Sequence, residues 1–256
     1  MRRPDELRVL VEDQLGRLAL APELGSLGDV MRYTLESGGK RIRPVLCLAT
    51  AEAAGSRVEP ALAAAVALEL IHTFSLVHDD LPALDDDDVR RGRPSAHVRF
   101  GEAAAILAGD ALLAEAFRLA ASYPTPAVAG ELALATAGMI GGQFLDVTNG
   151  VDDLAAVNRL KTGRLFEAAV ACGLWAADVP ESDHEAWRAF GREVGVLFQL
   201  VDDVLDGDGY ASAHGVEQAR RLADDAADRA RLRLEAIPAD TSVLAEIVSS
   251  LAARTA

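Results

Sequence analysis

Two groups of aspartates could do chemistry together. The first lies in HDDLPALDDDD at residues 78–88, where Asp79, Asp80 and Asp85 crowd one short segment. Carboxylates that close repel one another unless cations bridge them. Hard divalent cations, Mg²⁺ above all, take such oxygen ligands and keep waters and substrate phosphates in their shell. A solvated acidic turn is the other reading, but it does not need the long apolar run that precedes this segment. The second group lies in FQLVDDVLD at 198–206. Asp202 and Asp206 are four apart and Asp203 and Asp206 three apart, so a helix puts them on one face, with Gln199 a turn earlier. The positions between are apolar. Acids on a narrow stripe of a buried helix need a partner, either a structural salt bridge or a metal. Two such groups in one chain favour metal.

Two basic segments are the natural counterpart. GGKRIRP at 38–44 packs Lys40, Arg41 and Arg43 behind a glycine pair. That suits a diphosphate, with arginine as a planar fork and lysine as a point charge. A plain basic loop before a helix reads equally well. RRGRPS at 90–95 follows the first acid group directly, so Arg90 and Arg91 can face phosphates whose other side meets the metals. Of the 25 basic residues only two are lysine, Lys40 and Lys161, and both stand in short glycine-containing segments.

The elements that must position these groups are helices. Leu7, Leu10, Val11, Leu15 and Leu18 form one apolar stripe, and Ala- and Leu-rich runs fill 61–78, 102–121, 128–147, 163–177, 184–206 and 216–236. Breakers fall between them, at 55–60, 92–94, 123–126, Asn149-Gly150, 179–180 and 207–209. No alternating run marks a strand. The expectation is one all-α domain over residues 1–256, a bundle of helices. The net charge of −15 disfavours nucleic acid and anionic membrane surfaces. Two cysteines, Cys47 and Cys172, without metal-ligand spacing fit a reducing compartment. The opening MRRPDELRVL has no apolar core of a signal peptide, so a cytoplasmic location is expected. The apolar stretches 61–77 and 103–121 carry charges and read as buried helices, not membrane spans.

Taken in order, GGKRIRP, HDDLPALDDDDVRRGRPS, AGDALL, GGQFLDV, KTGRLFE and FQLVDDVLD resemble the trans-type isoprenyl diphosphate synthases, the farnesyl and geranylgeranyl diphosphate synthase family of polyprenyl synthetases. The resemblance runs from about residue 28 to residue 206. It implies an all-α helical bundle with a central catalytic cavity, a homodimer, and up to three Mg²⁺ ions. It implies isopentenyl diphosphate and an allylic diphosphate as the substrates. By position, Asp79, Asp80 and Asp85 look like the first metal motif, with Asp79 and Asp85 as direct ligands. Asp202 looks like the ligand of the second motif, with Asp203 and Asp206 holding metal-bound water. Lys40, Arg43, His72 and Arg91 match positions that bind isopentenyl diphosphate. Arg90, Lys161 and Gln199 match positions around the allylic diphosphate, and Thr162 sits beside the reacting carbon.

The implied chemistry is ionisation of an allylic C–O bond and attack by the π bond of isopentenyl diphosphate. Phe74 stands five residues before Asp79, about 7.5 Å lower along a helix, and Ser75 one turn below. An aromatic there floors the cavity, and in the resembling family it goes with short products. The expectation is C15, with C10 and C20 as the neighbours. Phe144 is expected to shorten the cavity further. A class I terpene cyclase and a non-catalytic subunit are the alternatives. The first lacks its Asn/Ser/Glu metal pattern here. The second is suggested by one departure: after Asp206 the family's lysine-bearing loop is missing, and the chain reads GDGYASAHG into the helix at Val216. Arg220 or Arg221 could stand in for those lysines.

Overall fold

The computed structural model describes residues 1–149 and 154–255. Gly150, read from sequence as part of a break, lies outside them. The described chain is helical apart from one two-residue hairpin. In order it runs α1 (Pro4–Gly16), α2 (Leu27–Leu35), α3 (Ile42–Ala53), α4 (Leu62–Asp79), β1 (Val89–Arg90), β2 (Arg93–Pro94) and α5 (Ala96–Phe100). It continues with α6 (Glu102–Ala120), α7 (Ala127–Asn149), α8 (Leu154–Asn158), a π turn (Arg159–Gly163) and α9 (Arg164–Ala176). It closes with α10 (Glu185–Asp206), α11 (Gly209–His214), α12 (Val216–Glu235) and α13 (Ser242–Ala252).

The order of packing follows from which faces are apolar. The centre is α3, α4 and α9, whose side chains are buried nearly all round. α3 packs on α9, α4 on α6, and α10 on both α9 and α12. α12 is amphipathic: Ala219, Ala223, Ala226, Ala230 and Leu234 face inward and its charged residues face outward. Close approach of α3 and α9 depends on Gly173, where a Cβ would lie 2.5 Å from the Cys47 carbonyl oxygen. The thiols of Cys47 and Cys172 are buried and unpaired, and burial pushes both well up, so neither is reactive. Two stretches, Glu59–Asp79 and Ala127–Thr148, are long and apolar enough to cross a bilayer; 67% of the first is buried in the fold against 33% of the second. The stretch 103–121 is not among them.

One buried ion pair ties the N-terminal half together. The Arg41 guanidinium donates to Glu69 on α4 at 2.6 Å, to Glu12 on α1 at 2.9 Å and to the Leu35 carbonyl at the end of α2. Burial works against its charge, but Glu69 and Glu12 outweigh that and raise its pKa above the usual arginine value. The side chains of Arg41 and Glu69 are 1% and 2% exposed. Replacing Glu69 by Ala leaves a buried guanidinium short of one partner and is expected to cost about 3 kcal/mol, read from urea unfolding. Replacing the half-exposed Glu12 costs less than about 1 kcal/mol.

Candidate active site

α4 and α10 both end in aspartates, and a helix C-terminus is the negative end of its dipole. Asp79 is the last residue of α4 and Asp80 its cap. The chain turns back at once: the Asp85 N–H donates to the Asp79 carbonyl at 2.9 Å, which holds the acid-rich loop over the helix end. Burial raises the Asp79 carboxyl to about 6; Lys161 opposes the shift and Asp85 adds to it. Asp80 is 3% exposed and takes the guanidinium of Arg90, which also donates to Asp87 at 2.9 Å. Burial raises its pKa too, against that guanidinium.

On α10 the acids divide between two directions. Asp202 meets Lys40 at 3.5 Å and Arg254 at 3.2 Å. Asp203 is 2% exposed and accepts from Gln199 Nε2 at 2.7 Å and from the Tyr210 N–H at 3.0 Å. The first of these bonds fixes the Gln199 amide, whose Oε1 then accepts the Thr162 hydroxyl at 2.7 Å. Asp206 is exposed. The π turn carrying Lys161 and Thr162 runs beside α7: a Cβ on Gly142 would lie 2.4 Å from the Lys161 nitrogen. Lys161 Nζ meets Asp146 of α7 at 2.8 Å.

The basic side is built from turns with positive φ. Gly38 and Gly39 have φ of 77° and 140° and Arg41 one of 50°, so the chain reaches α3 through backbone that favours glycine. At Gly39 the missing side chain also makes room, since a Cβ would sit 2.7 Å from the Arg91 guanidinium. Arg91 donates to the Gly38 carbonyl and so ties this loop to the hairpin. The hairpin itself turns at Arg91 and Gly92, with φ of 54° and 74°. Arg43 is buried, with its guanidinium 4.5 Å from the Phe166 ring centre and 5.3 Å from that of Phe198. Burial lowers it to about 10, and its Nε has no partner. His72 is held well below its usual value by burial and then by Arg43 and Arg91, so it is neutral and can donate one N–H.

These parts open onto two cavities that share a wall. One, of about 420 Å³, is lined by Asp79, Lys161, Thr162, Gln199 and Asp202 at one end and by Phe74, Ser75, Met139 and Phe144 along it. The other, of about 550 Å³, is lined by Lys40, Arg43, His72, Arg90 and Arg91. Arg43, His72, Leu76, Phe198 and Asp202 belong to both. Lys40, Arg43, His72 and Arg91, grouped from sequence, thus come together. Arg90 joins them and does not line the first cavity. Asp80, Asp85 and Asp206 line neither, and Asp203 faces a third recess beside α11. Arg254 and Asp146 were not singled out from sequence. Arg254 stands outside any motif; Asp146 is the acid of GGQFLDV. Arg220 and Arg221 meet Glu217 and line none of these cavities. Nor does the chain run straight from Asp206 into α12: Gly207 ends α10 at φ 73° and the short α11 intervenes, its start held by Asp203. His78 lines the apolar cavity, with its Nε2 3.0 Å from the Ile106 carbonyl and its ring edge-on to Phe74.

Among the described residues no three acids or histidines converge as a ready metal site. The donor set nevertheless fits a divalent cation shared with a phosphate. Asp79 and Asp202 reach one cavity from two helix ends, and the half-buried Asp79 has too little positive charge near it.

An all-α fold with acids from two helix ends and a basic loop around paired cavities defines an enzyme of the isoprenoid-synthase type. A family model for polyprenyl synthetase matches residues 25–233. The chain belongs to that family and is a prenyltransferase, a trans-type isoprenyl diphosphate synthase. It is 43% identical to geranylgeranyl diphosphate synthase of Cyanophora paradoxa over 216 residues, 78% of this chain and 72% of that one. It is 40% identical to farnesyl diphosphate synthase of Escherichia coli over 254 residues, 84% of this chain and 85% of that one. The crystal structure of an FPP/GFPP synthase from Zymomonas mobilis superposes with a TM-score of 0.87 at 32% identity, covering 97% of each chain.

A pH test isolates Asp79. Its folded pKa is raised from 3.8 to about 6, so the ionised form is disfavoured in the fold and the cost grows as pH rises through that window. Asp79→Asn removes it. In urea unfolding with EDTA, the stability of the variant relative to the parent is expected to climb from pH 4 to pH 6 and then level off. A difference that does not change with pH rejects the account.

Proposed function

We propose that the chain condenses an allylic diphosphate with isopentenyl diphosphate in a Mg²⁺-dependent reaction and that its main product is farnesyl diphosphate (C15), ahead of C10 and C20. The observation that carries this reading is the pair of cavities. A chain-elongating enzyme must hold two diphosphates, whereas a cyclase needs one. The apolar cavity with Asp79, Lys161 and Asp202 at its mouth suits the allylic substrate, and the basic one with Lys40, Arg43, His72 and Arg91 suits isopentenyl diphosphate.

In this reading Asp79, Asp85 and Asp202 are the metal ligands, with Asp80, Asp203 and Asp206 around them. Bound there, up to three Mg²⁺ ions supply the charge that lets an allylic diphosphate depart. Lys161 adds a point charge at the same end. Thr162, whose proton is engaged by Gln199, turns oxygen lone pairs towards the cavity, where positive charge develops on carbon. Phe74, Leu76, Met139 and Phe198 keep water from that carbon. Arg43, packed against two rings, and neutral His72 orient the second diphosphate so that its double bond faces the first cavity. The proton lost on condensation goes to the released diphosphate, so no protein base is needed. Incubation with Mg²⁺ and geranyl diphosphate, with and without isopentenyl diphosphate, tests this. A longer diphosphate formed only with both substrates is expected; an alcohol or hydrocarbon formed without isopentenyl diphosphate defeats the reading.

The C15 assignment rests on Phe74, which is 6% exposed and lines the apolar cavity beneath Asp79. Phe74→Ala is expected to shift the product distribution to longer chains, read by chromatography of the dephosphorylated alcohols. An unchanged distribution removes Phe74 as the floor.

We also place the working protein, one domain over its length, in the cytoplasm as a homodimer. Support for the pairing comes from α6 and α7, which present Leu107 and Leu134 at 56% and 73% exposure. Leu134→Glu is expected to yield monomers in sedimentation at concentrations where the parent sediments as a dimer.

A further inference from the structure

The described residues enclose another cavity, of about 510 Å³, that neither substrate reading uses. It meets the π turn at Arg159 and Gly163, where the apolar cavity meets it at Lys161 and Thr162. Its walls come from the π turn, α9, α10 and α12, and Val196, Leu200 and Leu222 give it an apolar surface. Arg159, Arg164, Arg192 and Arg229 also line it, against the single acid Glu167. With Glu185 and Glu193, which bond two of these arginines, four cations still meet only three acids in a chain of net charge −15.

The arginines are not spent. Arg164 and Arg192 both bond Glu167, at 3.4 and 3.0 Å, Arg192 also bonds Glu185, and Arg229 bonds Glu193. A guanidinium carries five N–H donors, so each keeps donors for a further acceptor. Arg159 is exposed and in no ion pair among the described residues. The buried Nδ2 of Asn158, another lining residue, has no acceptor. Apolar walls with surplus N–H donors fit one class of ligand, an anion joined to a hydrocarbon chain, and the volume suits a small molecule.

The cavity also bears on the reaction centre. Arg159 and Gly163, the ends of the π turn, are in its wall, and the residues between them include Lys161 and Thr162. Gly195 of α10 rests on that turn so closely that a Cβ would lie 2.9 Å from the Gly163 Cα. Gln199, the partner of Thr162, lines both cavities. A ligand that spreads α10 from the π turn must therefore shift the Thr162–Gln199 contact.

We propose that this cavity binds a hydrocarbon-chain phosphate or diphosphate, the chemical class of the enzyme's own product, and that occupancy slows turnover by displacing the π turn. The product identity rests on the proposed function; binding does not, so the first measurement needs no catalysis. Dodecyl phosphate, below its micelle concentration, is titrated by calorimetry into the full chain in EDTA. Inorganic diphosphate alone serves as the headgroup control. Three variants accompany the parent: Val196→Trp fills this cavity from a half-exposed position, Arg159→Glu reverses a rim charge, and Ser75→Trp fills the apolar substrate cavity. The parent and Ser75→Trp are expected to bind dodecyl phosphate, and Val196→Trp and Arg159→Glu to bind at least about tenfold more weakly. In turnover with both substrates, dodecyl phosphate is expected to lower kcat of the parent without raising KM for the allylic substrate, and to leave Val196→Trp uninhibited. No binding by the parent overturns the proposal. Binding that survives in both Val196→Trp and Arg159→Glu, or that is lost in Ser75→Trp, overturns it as well. Binding with no change in kcat overturns the coupling to turnover.

Discussion

The arrangement turns on an electrostatic conflict. α4 and α10 bring two helix C-termini, each already negative, to one cavity and place aspartates on both. Such a site holds together only if cations are supplied from elsewhere, and in this chain they come from non-helical segments. Arg90 on the hairpin answers Asp80, Lys40 on the glycine turn answers Asp202, and Lys161 on the π turn offsets the burial of Asp79. The glycine turn is itself held by Arg41. Its buried contacts with Glu12, Glu69 and Leu35 fix the start of α3 relative to α1, α2 and α4. Arg41 lies between Lys40 and Arg43 in sequence, yet it serves the scaffold that aims them.

The two cavities divide the work by polarity, and the residues on their shared wall belong to both tasks. Arg43 is the clearest case. Packed against the touching Phe166 and Phe198 rings, it is pre-oriented by aromatic contact without a carboxylate that would consume its donors. Its orphaned Nε is a cost that an incoming phosphate oxygen would relieve. A lysine at this place would keep a charge but lose both the stacking and the fork. His72 is the complement, kept neutral by burial and then by Arg43 and Arg91, so that it adds a donor without adding repulsion.

Much of this was legible in the residues themselves. The apolar runs read at 61–78, 102–121 and 184–206 correspond to α4, α6 and α10 with ends displaced by a residue or two, because each keeps a polar face or a sharp break. α3 was not legible: Arg43 through Ala51 are buried on every side, so there is no period to read. The hairpin was missed because two-residue strands leave no alternation, although Arg91-Gly92 carries the backbone demand of its turn. The one-face reading of the α10 acids is where helical spacing misleads. Spacing places Asp202, Asp203 and Asp206 within reach of one another, but the neighbours decide their directions. Lys40 and Arg254 draw Asp202 to the cavities, while Gln199 and the Tyr210 N–H draw Asp203 towards α11.

That split also bears on the segment after Asp206. Where a longer lysine-bearing loop is the family habit, this chain has Gly207, Gly209 and a six-residue helix whose first turn is capped onto Asp203. The cap makes α11 a continuation of the α10 framework, and the recess it leaves, of about 460 Å³, stays open beside Lys161 and Thr162. The positive charge absent from that side is present on the other. Arg254, just beyond α13, reaches Asp202 alongside Lys40, and its charge works with burial to lower the Lys40 pKa. Two cations competing for one carboxylate are held less firmly than one would be. A diphosphate entering the basic cavity offers each a second acceptor. The chain thus carries two cations on Asp202 at the basic side of the shared wall, while on the other side a short helix is capped onto Asp203.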